Sequence, residues 1–236
     1  MKLSSRKGRY GIDAPYVPAL MIAGALACAG LMVFAHMHGL WITVAILLLI
    51  AGIYLHTTLR GKFLAWRGLL TGLDLHGEEH LLDLGCGRGA VLLMAAEYLP
   101  KGRAVGIDIW SNKDQSGNAM ETTQANATAE GVADRVELHT ADMRKLPFDD
   151  DSFDAIVSNV AIHNIDSEPG RDRAIDEAWR VLRPGGRLLI ADISKSRRYQ
   201  RRLADLGASA TRRNLGWRMW WGGPWMPTYL VDARKR

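Results

Sequence analysis

The chain has 236 residues, with 30 lysines and arginines against 25 aspartates and glutamates, a formal net charge of +5 and only two cysteines. Cys28 lies in an apolar run and Cys86 between two glycines, so the cysteines support neither a disulfide framework nor a metal site built on Cys pairs. No nucleic-acid motif accompanies the positive charge, which gathers beside the apolar runs and in the tail, where it suits an anionic leaflet.

Residues 1–16 form a basic N-terminus containing Lys2, Arg6, Lys7 and Arg9. The segment Pro18 to His36 then carries no Asp, Glu, Lys or Arg, and after a turn at His38-Gly39 a second uncharged run extends from Leu40 to His56. Each is long enough to cross a hydrocarbon core of roughly 30 Å, which needs about 17–25 helical residues. Two such runs back to back predict a transmembrane helical hairpin over 17–56; a buried core helix and a cleaved signal peptide are the alternatives. Basic residues lie before the hairpin and after it (Arg60, Lys62, Arg67) but not in its turn, which predicts that both ends face the cytoplasm from the inner membrane.

Residues 57–77 place Phe63, Leu64, Trp66, Leu69, Leu70 and Leu73 at helical intervals, predicting an amphipathic connecting helix that lies on the membrane surface or covers the following domain. From 78 to 236 strands and helices alternate. Strands are predicted at His80–Leu84, Ala104–Ile109, Val136–Thr140, Ala155–Ser158 and Arg187–Asp192. Helices are predicted at Ala90–Tyr98, around Ala119–Glu130 and at Arg171–Val181. Two further strand-like runs, Leu215–Trp221 and Thr228–Ala233, surround Gly222-Gly223-Pro224 and predict an antiparallel hairpin at one edge. The expected fold is therefore α/β, a Rossmann-like and mostly parallel seven-stranded sheet. Ligands of such sheets sit at the carboxyl ends of the strands.

The segment Leu81 to Ala90, LLDLGCGRGA, ends an apolar strand in an acid followed by glycines at 85, 87 and 89. Such glycines let backbone pass close to a ligand, and the new helix offers unpaired N–H groups. Taken alone the pattern also fits a dinucleotide site, and Asp108 at the end of VGIDIW would hold a ribose in either case. Asp83, the pair Asp142-Met143 and the run RVLRPGGRLLIADI from Arg180 to Ile193 separate the two readings.

With these motifs in this order, residues 78 to 195 resemble the class I S-adenosylmethionine (SAM) dependent methyltransferases, particularly the small-molecule branch that includes enzymes of ubiquinone and menaquinone biosynthesis. The resemblance implies SAM as cofactor, S-adenosylhomocysteine as product, and no metal. It places Asp83 near the methionine amino group, and Gly85, Cys86 and Gly87 along the methionine part. Asp108, with Ile109 beside it, would meet the ribose, while Asp142 and Met143 would meet the adenine. Asn159 would contact the methionine amino group through its backbone, or serve as a turn residue.

His163 in SNVAIHNI is the expected substrate-facing residue and candidate general base, with a structural loop cap as the alternative. The loop WSNKDQSGN after Asp108 resembles a bacterial subgroup of membrane-linked methyltransferases. It offers Trp110 for stacking and Asp114 with Gln115 for a polar substrate atom; a core tryptophan and a solvated loop are the other reading. Trp217, Trp220, Trp221 and Trp225 suit an apolar pocket, a membrane interface or simple hairpin packing. The expected partners are the bilayer and a small, apolar methyl acceptor. Methylation of a protein side chain, a SAM-binding regulator without catalysis and an oxidoreductase are the rivals.

Overall fold

The computed structural model describes residues 6–111 and 117–236. Its centre is a seven-stranded sheet in the order β3-β2-β1-β4-β5-β7-β6. The strands are β1 (His80–Leu84), β2 (Arg103–Asp108), β3 (Val136–Thr140), β4 (Phe153–Asn159), β5 (Leu182–Asp192), β6 (Ser209–Asn214) and β7 (Tyr229–Arg234). The first five are parallel, and β7 adds antiparallel to β5 and to β6.

Alternating side chains divide the core into two layers. Leu81, Ala155, Val157, Leu189 and Ala191 face one side, where they meet Trp66, Leu70, Leu92 and Leu93. Leu82, Leu84, Ile156, Leu188 and Ile190 face the other, against Ile175, Ala178, Tyr199 and Leu203. The second side is covered by α6 (Glu168–Val181) and α7 (Ser196–Asp205), and the first by α3 (Lys62–Thr71), α4 (Leu92–Ala96) and α5 (Met120–Glu130).

Before the sheet come α1 (Tyr16–Phe34) and α2 (Trp41–His56). They lie against each other, yet their outer faces are bare: Leu20, Leu26, Val33, Phe34 and Leu49 are each more than 60 % exposed. Both helices are long and apolar enough to cross a membrane, with mean hydropathy 2.2 and 2.1 in their most apolar windows. No separate connecting helix follows. The helix that begins at His38 continues to Thr71, with a π turn at Thr57–Gly61 between α2 and α3. Of the two placements open to residues 57–77, α3 takes the covering one, burying Trp66, Leu69 and Leu70 against the domain.

Helix α7 was not expected, α4 is shorter than the expected Ala90–Tyr98, and three other elements depart in ways with a local cause. Helix α6 starts at Glu168, before the expected Arg171: Ser167 caps it by accepting from the Gly170 amide at 3.1 Å, and Pro169 fits the first turn, where its missing N–H costs nothing. Strand β5 starts at Leu182 because a register shift between Phe153 and Ala155 of β4 absorbs the Pro184-Gly185-Gly186 kink. The edge hairpin pairs Ser209–Asn214, and not Leu215–Trp221, with β7. The tryptophan segment is instead a loop with a short 3₁₀ turn at Trp217–Met219, closed by a bridge between Trp220 and Pro227.

Candidate functional site

The carboxyl ends of β1, β2, β3, β4 and β5 border one cavity of ≈ 540 Å³, within the usual range of small-ligand pockets. Its floor is the turn after β1. Gly85 there has φ +73°, and a Cβ on it would come within 2.5 Å of the Ala161 Cβ, so the position needs glycine. Gly106 of β2 similarly leaves room for the Cys86 Sγ. Burial pushes the Cys86 thiol up, with Asp83 and Asp108 adding to the effect, so it is a packing residue and not a nucleophile.

Asp108, the last residue of β2, ties this floor together. Its Oδ2 accepts from the Gly87 amide at 2.8 Å, and its Oδ1 from the Trp110 amide at 2.7 Å and from Asn118 Nδ2 at 3.2 Å. Thr123 of α5 donates to the Gly87 carbonyl at 2.7 Å. A carboxylate has about four acceptor sites, so Asp108 keeps capacity for a ligand hydroxyl.

Asp83 is 1 % exposed and lines the same cavity, and its Oδ1 has no protein partner. Burial, opposed by the Leu92 amide and reinforced by Asp108, pushes its carboxyl up to about 8. A buried carboxyl with a vacant oxygen beside a second acid favours a cationic ligand group. Asp142 and Met143 form the cavity's far wall. Asp142 is gripped by Arg144, with Nε to Oδ2 at 2.8 Å and Nη2 to Oδ2 at 2.5 Å, and that contact holds its carboxyl below the usual range.

On the opposite side, His163 lines the cavity, and its Nδ1 lies 2.7 Å from Oδ1 of Asp192, the last residue of β5. The approach has ion-pair distance without hydrogen-bond alignment. Asp192 is fully buried and further held by the His163 and Ile193 amides at 3.1 and 2.7 Å and by the Tyr199 hydroxyl at 3.3 Å. Sequence reasoning missed Asp192, although its place at the carboxyl end of a predicted strand was the available signal.

The other expected residues fare variously. Ile109 and Asn159 line the cavity. The Asn159 side chain, however, accepts from the Trp66 indole at 2.7 Å and so anchors α3. Trp110 stands outside the cavity wall: it has φ +56° and donates its indole N–H to Thr140 at 2.8 Å, leaving Ile109 and Ser111 to face the cavity. Asp114 and Gln115 lie outside the described residues.

The contacts that tie the N-terminal residues and the π turn to the domain were not foreseen. Residues 7–10 strap across α5, where the Lys7 and Gly8 amides and the Tyr10 hydroxyl donate to Glu130 at 3.0, 3.0 and 2.9 Å, and the Arg9 amide donates to Asn126 at 2.7 Å. Asn126 in turn donates to the Arg88 carbonyl at 2.9 Å, which fixes the strap to the glycine turn. At its end, Asp13 accepts from Thr58 and from Lys62, each at 2.6 Å, and the Lys62 ammonium is 2 % exposed. Thr57 donates to the Trp220 carbonyl, and Gly61 packs on the Arg218 backbone. The π turn is thus the point where the strap, the hairpin and the tryptophan loop lock together.

Residues 82–190 match the family described as Methyltransferase domain. They are a methyltransferase domain of the class I, SAM-dependent family. A demethylmenaquinone methyltransferase of Symbiobacterium thermophilum is 34 % identical over 137 residues, 57 % of this chain and 51 % of that protein. A sterol 4-C-methyltransferase of Caenorhabditis elegans is 33 % identical over 129 residues, 55 % and 35 % of the two chains. The chain therefore spans about half, or less, of the curated relatives it matches. Among solved structures, the [4+2]-cyclase SpnF shares the fold at TM-score 0.59 and 21 % identity, covering 71 % of this chain and 79 % of that one. Geranyl diphosphate methyltransferase, in complex with GPP and sinefungin, does so at 0.58 and 20 %, covering 72 % and 77 %. The methyltransferase domain match leaves out Asp13 and Ala14, the hairpin and the tryptophan loop, which also line the cavity.

Proposed function

We propose that this chain transfers the methyl group of SAM to a small, apolar or membrane-associated acceptor, with α1 and α2 embedded in the cytoplasmic membrane and the methyltransferase domain on its cytoplasmic side. The single observation that carries this reading is the continuity of the cavity. It runs from Asp83, Gly85 and Asp108 to Val17 and Met21 of α1, Tyr54 of α2, and Trp221, Trp225 and Met226 of the loop.

The residues present fit SAM. The free oxygen of Asp83 would hold the methionine ammonium, Asp108 a ribose hydroxyl, and Asp142 with Met143 would border the adenine. When bound, SAM supplies a sulfonium methyl already activated for in-line displacement. The chain then has two tasks. It aligns the acceptor, which alone can supply much of the rate, and it accepts the proton that a hydroxyl or similar nucleophile loses. His163 is our candidate for the second task, a reading supported by its place in the cavity lining with Asp192 beside its Nδ1. Asp192 acts as a positioning residue, accepting from the His163 amide and lying beside the ring.

Bare apolar helices support the membrane placement, since a core helix of this hydropathy would be covered by protein. The test is to incubate the full chain with methyl-labelled SAM and a total membrane extract. Label recovered in an organic-soluble small molecule is the expected result. Label confined to protein, or none transferred despite SAM binding, would overturn the acceptor class.

A further inference from the structure

The rim around the cavity mouth carries cations and indoles that methyl transfer does not use. Helix α7 sorts its arginines by face. Arg198 and Arg202 are bound to carboxylates of α6, namely Asp172 with Glu168, and Asp176. Arg197 and Arg201, one residue earlier in each case, are exposed and pair with no carboxylate among the described residues. Lys195, Arg213 and Arg218 are exposed and unpaired in the same sense.

Strand register fixes the level of Arg213 and of the start of α7. Asn214 of β6 lies opposite Tyr229 of β7, and Tyr229 opposite Asp192 of β5. Arg213 and the start of α7 therefore sit at the carboxyl end of the sheet, where the cavity opens. Between them and the hairpin stand Trp217 and Trp225, 57 % and 67 % exposed. Trp217 stacks on His56 with ring centroids 4.7 Å apart, and Gly222 packs on Ile50. The loop thus runs beside α2 from its end back to Ile50, a rise of about 9 Å at 1.5 Å per residue.

We infer that this rim docks on an anionic phospholipid leaflet, with Trp217 and Trp225 in the interfacial layer and Lys195, Arg197, Arg201, Arg213 and Arg218 against the headgroups. The inference rests on the hairpin lying in the bilayer. Charge complementarity and continuity with the bare hairpin select this partner: indoles favour the membrane interface, and surface cations are drawn to an anionic leaflet within a Debye length. Nucleic acid would use the same cations, but not two exposed indoles set beside an apolar helix. Because residues 38–71 are one helix, rim and hairpin together hold the domain at a fixed tilt, with the cavity mouth against the lipid.

The experiment uses the full chain in nanodiscs of phosphatidylcholine alone or with phosphatidylglycerol, reading tryptophan quenching by brominated lipid. Quenching should be stronger with brominated phosphatidylglycerol. The triple variant Arg197→Glu, Arg201→Glu, Arg213→Glu should lower that excess about twofold or more, as should high salt, while SAM affinity stays unchanged. Quenching indifferent to anionic lipid, to salt and to the triple variant overturns the rim. So does a variant that loses only binding to a short DNA duplex. Alkaline carbonate extraction of native membranes separates the two failures: release of the chain refutes the hairpin reading itself, whereas retention with indifferent quenching refutes the rim alone.

Discussion

The two walls of the cavity are built in opposite ways. The wall we propose for SAM, the cofactor wall, comes from the ends of β1, β2 and β3, and each acid or glycine on it belongs to a local strand-to-turn unit: Asp83 and Gly85, Asp108, then Asp142 and Met143; the other is the wall we propose for the acceptor. The acceptor wall is assembled from Asp13 and Met21, Tyr54 and Lys62, His163, and Trp221 and Trp225, which meet only through contacts such as Lys62 to Asp13 and Thr57 to Trp220. A locally built wall can be shared among proteins whose acceptors differ. A wall stitched from distant segments depends on the contacts between them, and the family match over 82–190 includes the first wall but only His163 and its neighbours from the second.

The sharpest break between the walls should come from His163. In His163→Gln, kcat with the labelled acceptor should fall roughly 10²–10⁴-fold, the usual contribution of a general base, while SAM affinity holds. Asp192→Asn should cost less, since it acts only through the placement of the His163 loop and ring, and it should lower kcat with KM and SAM affinity nearly unchanged. A His163→Gln variant with wild-type kcat leaves the histidine a loop cap and alignment as the whole mechanism. The converse change is Gly85→Val, which places a branched side chain where Ala161 already stands and demands φ +73° of a residue that rarely adopts it. SAM affinity by calorimetry should drop on the order of 100-fold or more, with the hairpin still held to the tryptophan loop.

The lock between hairpin and domain can be opened separately. Lys62→Met removes the ammonium from Asp13, which keeps its bond from Thr58, and loss of one partner of a buried pair costs about 3–5 kcal/mol; the remaining bond and the 25 % exposure of Asp13 put the expected loss at the low end, about 3 kcal/mol. Adding Asp13→Asn should return most of it. Thermal unfolding of the full chain in detergent would show this, and equal losses in the single and double variants would mean that the pair is not coupled.

Asp83 should make the cofactor wall sensitive to pH. Its carboxyl is pushed up to about 8 by burial, so at neutral pH the ligand-free protein holds it mainly protonated. If the bound ammonium requires the carboxylate, SAM binding releases a proton, and affinity should rise up to tenfold per unit from pH 6 to 8 and then level off. Stability moves the other way. Because the folded value lies above the unfolded one, the neutral acid's contribution is complete below about pH 4 and is lost as pH rises towards 8. Asp83→Asn should therefore stabilise the ligand-free protein at pH 8 and remove the pH dependence of SAM binding. Calorimetry in buffers of different ionisation enthalpy checks the proton count.

What was legible follows the same division. Strands β1 and β3 were read residue for residue; in β1 an apolar run ending in an acid and glycines is the local signal, and in β3 it is the alternation of Val136 and Leu138 with polar residues. The acceptor wall was read as separate pieces. Nothing near Asp13 announces a partner at Lys62, and Trp66 gives no hint that its indole holds Asn159. Helix α7 passed unnoticed because only Tyr199 and Leu203 of its larger side chains are buried among many arginines, and the tryptophan run resembled a strand because aromatic residues favour strands. Ser209–Asn214, which does pair, alternates no apolar residues and takes its register from β7 alone.

The smallest effect tests whether the acceptor follows the hairpin at all. Met21 is half-buried on α1 and faces the cavity, away from every group assigned to SAM. Met21→Trp would narrow the passage between α1 and the tryptophan loop without touching His163 or the cofactor floor. Fit in an apolar pocket is worth roughly 1–3 kcal/mol per methylene, so an acceptor whose chain runs along this wall should show a KM about tenfold higher, with kcat and SAM affinity nearly unchanged. Shorter-chain analogues should lose less. If KM stays constant while His163→Gln abolishes turnover, the acceptor reaches the histidine by another path, and the hairpin fixes where the enzyme works without shaping what it methylates.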